Sequence, residues 1–303
     1  MIDLIGDIHG YADKLEELLL KMDYTKKNGV YSHPERKVLF VGDYIDRGPQ
    51  IKQTLEIVKA MADNGHAIAL MGNHEYNALC FHLENPNGGH LRPHTIKNIG
   101  QHYDTLRQFQ NDQKAYDDYL DWFKTLPLYY ETDDFRAVHA CWDDKKIDYL
   151  RKTLVNDCLT DELIAESVQK GSALYEAIEQ TLKGKEMKMP DGLSFQDKDG
   201  NDRTELRIKW WEDPSKMTYQ SISVEFMENL PNEPIDVAAI DNTDFYGENE
   251  KKVFFGHYWL KGNPSLYRNN ICCLDYSVAN HGKLVAYRLN GEKDLDPNQL
   301  VYV

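Results

Sequence analysis

Short, mostly apolar runs alternate with segments of helical period through the first third of the chain. Residues 2–6, 38–42 and 67–71 form three such runs, each ending at or just before a glycine. Runs this apolar fit strands covered on both faces, as in α/β layers. Between them, residues 11–22 place Leu15, Leu18, Leu19 and Met22 at helical spacing. Residues 50–63 do the same with Ile51, Leu55, Ile57, Val58 and Met61, and 75–83 form a third candidate helix.

The middle of the chain has a different texture. Residues 85–92 are loop chemistry (Asn-Pro-Asn-Gly-Gly-His-Leu-Arg). Residues 103–123 carry Phe109, Tyr116, Tyr119, Trp122 and Phe123 at helical spacing, an aromatic stripe that predicts core packing. A strand end is expected at 137–140, a helix over 160–182 and a polar loop over 190–202. Strands return at 237–240, 253–256, 271–274 and 284–289. The pattern predicts one α/β domain over residues 1–303, with helical insertions within about 85–135 and 145–235. No internal repeat or low-complexity tract interrupts it.

Composition adds limits. The 303 residues are 41% hydrophobic and 28% charged, ordinary for a folded chain. Thirty-five Lys and Arg against 50 Asp and Glu give a net charge of −15. A global acidic field repels polyanions, which argues against a nucleic-acid duplex or an anionic membrane as partner. It leaves room for a small phosphorylated substrate held by a local cation cluster. Five cysteines without a Cys-x-x-Cys pair suggest neither a disulfide framework nor a zinc knuckle. No basic segment leads into a long apolar one at the start, and no run approaches the ~20 residues of a membrane helix. The expectation is a soluble, cytoplasmic protein.

Three clusters sit where the first three strands end: Gly6-Asp7-Ile8-His9-Gly10, Gly42-Asp43-Tyr44-Ile45-Asp46-Arg47-Gly48 and Gly72-Asn73-His74-Glu75. Open α/β sheets place their sites at carboxyl ends of strands. A lone Asp-x-His is more often a turn or cap. Three such clusters in order, each rich in metal-ligand types, are a stronger signal. His139 in Ala137-Val138-His139-Ala140 and His257 in Gly256-His257-Tyr258 end two further apolar runs and extend the series.

Together these motifs resemble the calcineurin-like metallophosphoesterase superfamily, and within it the phosphoprotein phosphatase branch. That branch takes in serine/threonine protein phosphatases and symmetrical diadenosine tetraphosphatases. The resemblance implies an α/β fold, a two-sheet β-sandwich flanked by helices. It implies that Asp7, His9 and Asp43 hold one metal ion, and that Asp43, Asn73, His139 and His257 hold a second, with Asp43 bridging. Mixed carboxylate, amide and imidazole donors suit Mn²⁺, Fe or Zn²⁺, and Mn²⁺ is the first expectation. Two such ions clamp a phosphoryl group and activate a water for in-line attack. By the same resemblance His74 is the general acid, Asp46 orients it, and Arg47 grips phosphate oxygens as a bidentate fork.

Basic residues of the middle insertion are the expected second clamp. Alternation in an extended stretch puts Arg207 and Lys209 on one face, and Trp210 or Trp211 is a candidate stacking partner. Asp46 aligns the chain with protein phosphatases, whereas Phe255-Gly256-His257-Tyr258-Trp259 and Leu274-Asp275-Tyr276 resemble the diadenosine tetraphosphatase C-terminal region. The implied substrate is a phosphate monoester, with phosphoserine or phosphothreonine in a protein as one form. The alternative is a dinucleoside polyphosphate split symmetrically to ADP. His66, His82, His90, His94, His102 and His281 have no motif context and are expected to be structural or surface residues.

Overall fold

The computed structural model describes residues 1–189, 194–196, 202–224, 230–239 and 244–303. Most of the expected loop 190–202 lies outside them, as does residue 240. The elements run β1 (Ile2–Ile5), α1 (Ala12–Lys21), β2 (Thr25–Lys27), β3 (Val30–Ser32), β4 (Lys37–Phe40), α2 (Ile51–Asp63), β5 (Ala67–Ala69) and α3 (Asn73–His82). The aromatic segment is a helical hairpin, α4 (Ile96–Phe109) and α5 (Gln113–Lys124). Then come β6 (Tyr129–Glu131), β7 (Phe135–Val138), α6 (Asp144–Thr153), α7 (Asp161–Ser167), α8 (Ala173–Lys183) and β8 (Glu186–Lys188). Short pieces follow: β9 (Phe195–Gln196), β10 (Asp202–Arg203), β11 (Glu205–Arg207) and α9 (Tyr219–Ile222). The chain closes with β12 (Lys252–Phe255), β13 (Ile271–Cys273), β14 (Asp275–Tyr276), β15 (Lys283–Leu289) and β16 (Leu300–Tyr302).

Two sheets dominate. One has the order β14-β15-β1-β4-β5, with β16 also paired to β15; the other has the order β13-β12-β7-β6. Strands β1, β4 and β5 are parallel, in a register that aligns Ile5 with Phe40 and Phe40 with Ala69. Their carboxyl ends therefore stop level, and the residues that follow stand side by side. In the second sheet β12 runs parallel to β7 and β13.

Alternation along each strand decides what each face touches. Leu4, Leu39 and Val41 point into the gap between the sheets, where they meet Phe135, Ala137, Phe254 and Cys272. Ile5, Val38 and Phe40 point the other way, onto Leu15, Leu19, Leu55 and Val58 of α1 and α2. The second sheet repeats the rule, with Val253, Phe255 and Cys273 joining the outer core. Adjacent Cys272 and Cys273 thus face opposite layers, and all five cysteines are free thiols. This is the expected α/β sandwich with helices on its outer faces.

Three expectations are corrected. The helix expected over 160–182 is two helices, α7 and α8, because Gly171 turns left-handed (φ +84°) and the Ser172 side chain caps α8. Residues 237–239 form a 3₁₀ turn, not a strand. The aromatic stripe is buried as expected at Phe109, Tyr116, Trp122 and Phe123, but it belongs to two helices joined by a turn, and Tyr103 is exposed. No described helix is long and apolar enough to cross a membrane.

Candidate metal centre

Five strand ends converge on one point. Asp7 and His9 follow β1, Asp43 follows β4, Asn73 follows β5, His139 follows β7 and His257 follows β12. All six side chains are buried. The loops are tied across the sheet: the N–H groups of Ile8 and His9 both donate to the Asp43 carbonyl, and that of Gly256 donates to the His139 carbonyl. Close approach needs glycine here. A Cβ on Gly72 would sit 2.2 Å from Asp43 Oδ1, and one on Gly256 would sit 1.9 Å from Asp7 Oδ1. His9, Asp43, Asp46, Arg47, His257 and Trp259 all have positive φ. Backbone strain of that kind persists only where surrounding structure holds it, and it concentrates at functional sites.

Glu75 is the strut of the centre. Its carboxylate accepts from the N–H groups of Gly72, Asp43 and Tyr44 at 3.0, 2.9 and 2.8 Å. It thereby caps α3 and fixes the β4 loop at once. Burial, and then Asp43, push its carboxyl up to about 7.

The donor atoms fit divalent cations. Ligand-capable atoms of Asp43, His139 and His257 lie within 4.8 Å of one another, as do those of His9, Asp43 and His74. His9 Nδ1 meets the Ile45 carbonyl at 3.0 Å, and His139 Nδ1 meets the Val41 carbonyl at 2.8 Å. A carbonyl only accepts, so each Nδ1 carries a hydrogen and each Nε2 is turned inward, the orientation a metal-binding imidazole needs. His139 Nε2 then faces two acceptors, Asn73 Oδ1 at 3.0 Å and Asp43 Oδ1 at 3.5 Å. A second proton on Nε2, a turned Asn73 amide or a cation between them would each relieve that juxtaposition. His9 Nε2, His257 Nε2 and Asp7 Oδ1 are buried without a hydrogen-bond partner. A divalent cation would compensate buried ligand atoms left this way.

The electrostatics agree. Burial, then Asp275 and Asp43, hold the Asp7 carboxyl well above its ordinary range. Burial and then His74 hold the His9 imidazole down at about 3, and burial and Arg207 hold His257 well below its ordinary value. His9 and His257 are thus held neutral, whereas at His139 burial is outweighed by Asp43, which raises that imidazole. Asp7 belongs to neither of the two close triads; it accepts from the His257 N–H at 3.0 Å, with Oδ1 free.

Beside the centre, His74 Nδ1 lies 2.5 Å from Asp46 Oδ2, and His74 Nε2 lies 4.0 Å from Asp43 Oδ2. Burial alone would raise the Asp46 carboxyl, but His102 and His74 outweigh it and pull it well below the usual range. Arg47 pairs with neither Asp46 nor Glu75. Its guanidinium lies over the Trp259 ring, 4.6 Å from the centroid, and Trp259 is 5.6 Å from His9. Trp259 stood in the sequence only as the end of the Phe255-Gly256-His257-Tyr258-Trp259 segment, with no role of its own.

The structure separates the expected second clamp. Arg207 pairs with Glu186 at 3.5 Å and acts electrostatically on His257. Lys209 Nζ instead donates to the Ser221 carbonyl at 2.8 Å, which ties it to the insertion's own backbone. The stacking expectation for Trp210 and Trp211 fails. Both are buried against Phe255, and the Trp210 indole donates to the Ala140 carbonyl. His102, expected only as a structural or surface residue, bonds Asp46, and so does Thr105, which the sequence reading did not single out.

A family model described as calcineurin-like phosphoesterase matches residues 1–258. The chain belongs to that family. The chain spans about half the length of one curated relative it matches and about a third of several others. Its relatives include the asymmetrical bis(5'-nucleosyl)-tetraphosphatase PrpE of Oceanobacillus iheyensis. That protein is 32% identical over 141 residues, covering 46% of this chain and 54% of the relative. The symmetrical bis(5'-nucleosyl)-tetraphosphatase of Marinomonas sp. is 26% identical and is covered over 94% of its length by 96% of this chain. Among solved structures, a protein serine/threonine phosphatase from Saccharomyces cerevisiae superposes with a TM-score of 0.49 at 14% identity, covering 100% of this chain and 78% of that one.

Proposed function

We propose that the chain hydrolyses phosphate monoesters at this centre. Asp7, His9, Asp43, Asn73, His139 and His257 would hold two divalent ions, Mn²⁺ first among those the donor set suits and Fe or Zn²⁺ next. The observation that carries the reading is the buried Asp46–His74 pair beside the convergent ligands. When bound, two such ions polarise the phosphoryl oxygens and make a water acidic enough to attack phosphorus near neutral pH. The chain's own groups do the rest. Asp46 accepts the His74 Nδ1–H and so aims Nε2 at the reacting centre. His74 gives its Nε2 proton to the departing oxygen, which an alkoxide leaving group needs. Arg47, stacked on Trp259, offers its fork to phosphate oxygens, and Arg207 adds positive charge on the His257 side. Lys209 would need to leave Ser221 to take part.

A second reading has its own support. The relatives named above are bis(5'-nucleosyl)-tetraphosphatases, and one aligns along nearly its whole length. Under that reading the substrate is a dinucleoside polyphosphate. A competition assay separates the two, with phosphothreonine peptide and diadenosine tetraphosphate at equal concentration on Mn²⁺-restored protein. Phosphate released first from peptide supports the monoesterase. Two ADP, or AMP with ATP, supports symmetrical or asymmetrical cleavage of the dinucleotide. Absence of Mn²⁺-dependent turnover on either substrate would sink both.

A further inference from the structure

We infer that His102, on the α4 insertion, is a positioning residue for the acid–base pair. It would act as the inner link of a chain Tyr116–His102–Asp46–His74. The inference rests on the reading of His74 as general acid and adds to it a part of the molecule that no motif marks. His102 is buried, with Nδ1 2.8 Å from Asp46 Oδ1 and Nε2 2.7 Å from the Tyr116 hydroxyl. Asp46 Oδ1 also accepts from Thr105 Oγ1 at 2.6 Å, and the Asp46 N–H donates back to that oxygen at 3.0 Å. The other carboxylate oxygen, Oδ2, is left for His74.

The hydrogen-bond capacities fix the direction of this chain. A carboxylate only accepts, so His102 Nδ1 carries the hydrogen toward Asp46. With one hydrogen on the ring, Nε2 keeps a lone pair and accepts from the Tyr116 hydroxyl. Burial, then Asp46 and Glu75, keep the Tyr116 phenol protonated by raising it well above its ordinary value. Every donor in the chain points at Asp46, and Asp46 has one oxygen to offer His74. His102 gives and takes no proton in the reaction. It pins a carboxylate whose own backbone sits at a strained positive φ of 66°. The carboxylate plane, and with it the direction of His74 Nε2, is thereby set by two residues of α4 and one of α5.

This arrangement has a consequence a merely structural residue lacks. Loosening Asp46 weakens proton delivery, and proton delivery matters only where the leaving oxygen is a poor leaving group. The test compares p-nitrophenyl phosphate, whose leaving group departs unaided, with an alkyl phosphate such as phosphothreonine. His102→Phe keeps the ring and removes both hydrogen bonds. The expected result is a fall of about tenfold in kcat on the alkyl phosphate, a fraction of the 10²–10⁴ a whole general acid contributes. KM and the rate on p-nitrophenyl phosphate should stay within about twofold. His102→Asn, whose amide N–H replaces the Nδ1 donor, should recover most of the loss. In a His74→Asn background, His102→Phe should cost nothing further.

Two controls keep the outcome readable. Tyr116→Phe removes a single hydroxyl from the outer end and should give the same leaving-group bias in smaller measure, even if His102→Phe folds poorly. In the proton NMR spectrum, the His74 Nδ1–H, held in a 2.5 Å contact, should resonate far downfield and move upfield in both variants, with no turnover required. Equal losses on both substrates, full additivity with His74→Asn, or an unmoved proton would overturn the inference. A wild-type protein inactive on both phosphates would instead overturn the monoesterase reading, and the proton shift would still report on His102.

Discussion

The residue that decides the reaction class is His74, because its two ring nitrogens face different partners. Nδ1 is committed to Asp46 and Nε2 opens toward Asp43 and the convergent ligands. His74→Asn should keep both metal equivalents and lower kcat on an alkyl phosphate by about 10²–10⁴, while leaving p-nitrophenyl phosphate turnover far less affected. Metal analysis beside the two rates checks this. A variant that loses a metal equivalent would recast His74 as a ligand, a role its place in the His9–Asp43 triad also permits. At this scale the sequence was legible where a ligand type follows an apolar run directly, as Asp7, Asp43, Asn73, His139 and His257 do. It read His102 as structural or surface and was silent on Thr105. Their contacts with Asp46 span 56 and 59 residues and exist only once α4 has folded onto the β4 loop. Trp210 and Trp211 were ambiguous for the opposite reason: large aromatic rings suit stacking and burial equally, and the core around Phe255 of β12 claimed them.

Among the elements, the strands were easiest to read, because burial on both faces leaves unbroken apolar runs. Their boundaries mattered less than their register, which no single strand reveals and which brings five loops level. The helices show what periodicity conceals. Residues 160–182 keep a plausible helical pattern through a break, because α7 and α8 bury the same side of the chain against one core. The break was written in Gly171 and Ser172 all the same. The Ser172 hydroxyl accepts from the Tyr175 N–H at 3.0 Å, and Gly171 has φ +84° with open space around its Cβ position. Ser172→Ala should therefore cost about 1 kcal/mol by urea denaturation, the usual worth of an N-cap. Gly171→Ala should cost about 1–2 kcal/mol from the left-handed backbone alone, since nothing nearby clashes. A Gly171→Ala protein as stable as wild type would mean that α7 and α8 can merge into the single helix the periodicity suggested.

For the molecule as a whole, the candidate metal centre would also be a clasp, since its proposed ligands come from both sheets. Asp7 is buried, with its carboxyl raised well above the ordinary range by burial and by Asp275 and Asp43. The sign of the linkage follows. In the unfolded chain this carboxyl loses its proton near pH 4, whereas in the folded, metal-free protein it keeps that proton to a higher pH. Across that window the folded state binds more protons, so metal-free stability falls as pH rises. A bound dication reverses the balance, because it is paired only with the ionised carboxylate of the folded state. Saturating Mn²⁺ at about 100 times its Kd should add about 2.7 kcal/mol. At about 2–4 °C per kcal/mol this is a rise in Tm of several degrees at pH 7.5. Asp7→Asn separates the two effects. Its amide oxygen still accepts from the His257 N–H. The variant should thus fold, be more stable than the metal-free wild type at pH 7.5, lose that advantage toward pH 4, and respond weakly to Mn²⁺. Thermal unfolding of both proteins at pH 4.5, 6 and 7.5, with chelator and with Mn²⁺, gives the whole pattern. If the metal-free wild type instead gained stability over Asp7→Asn as pH rose, the Asp7 carboxylate would have to be compensated by the chain itself, and these strand ends would not need a cation.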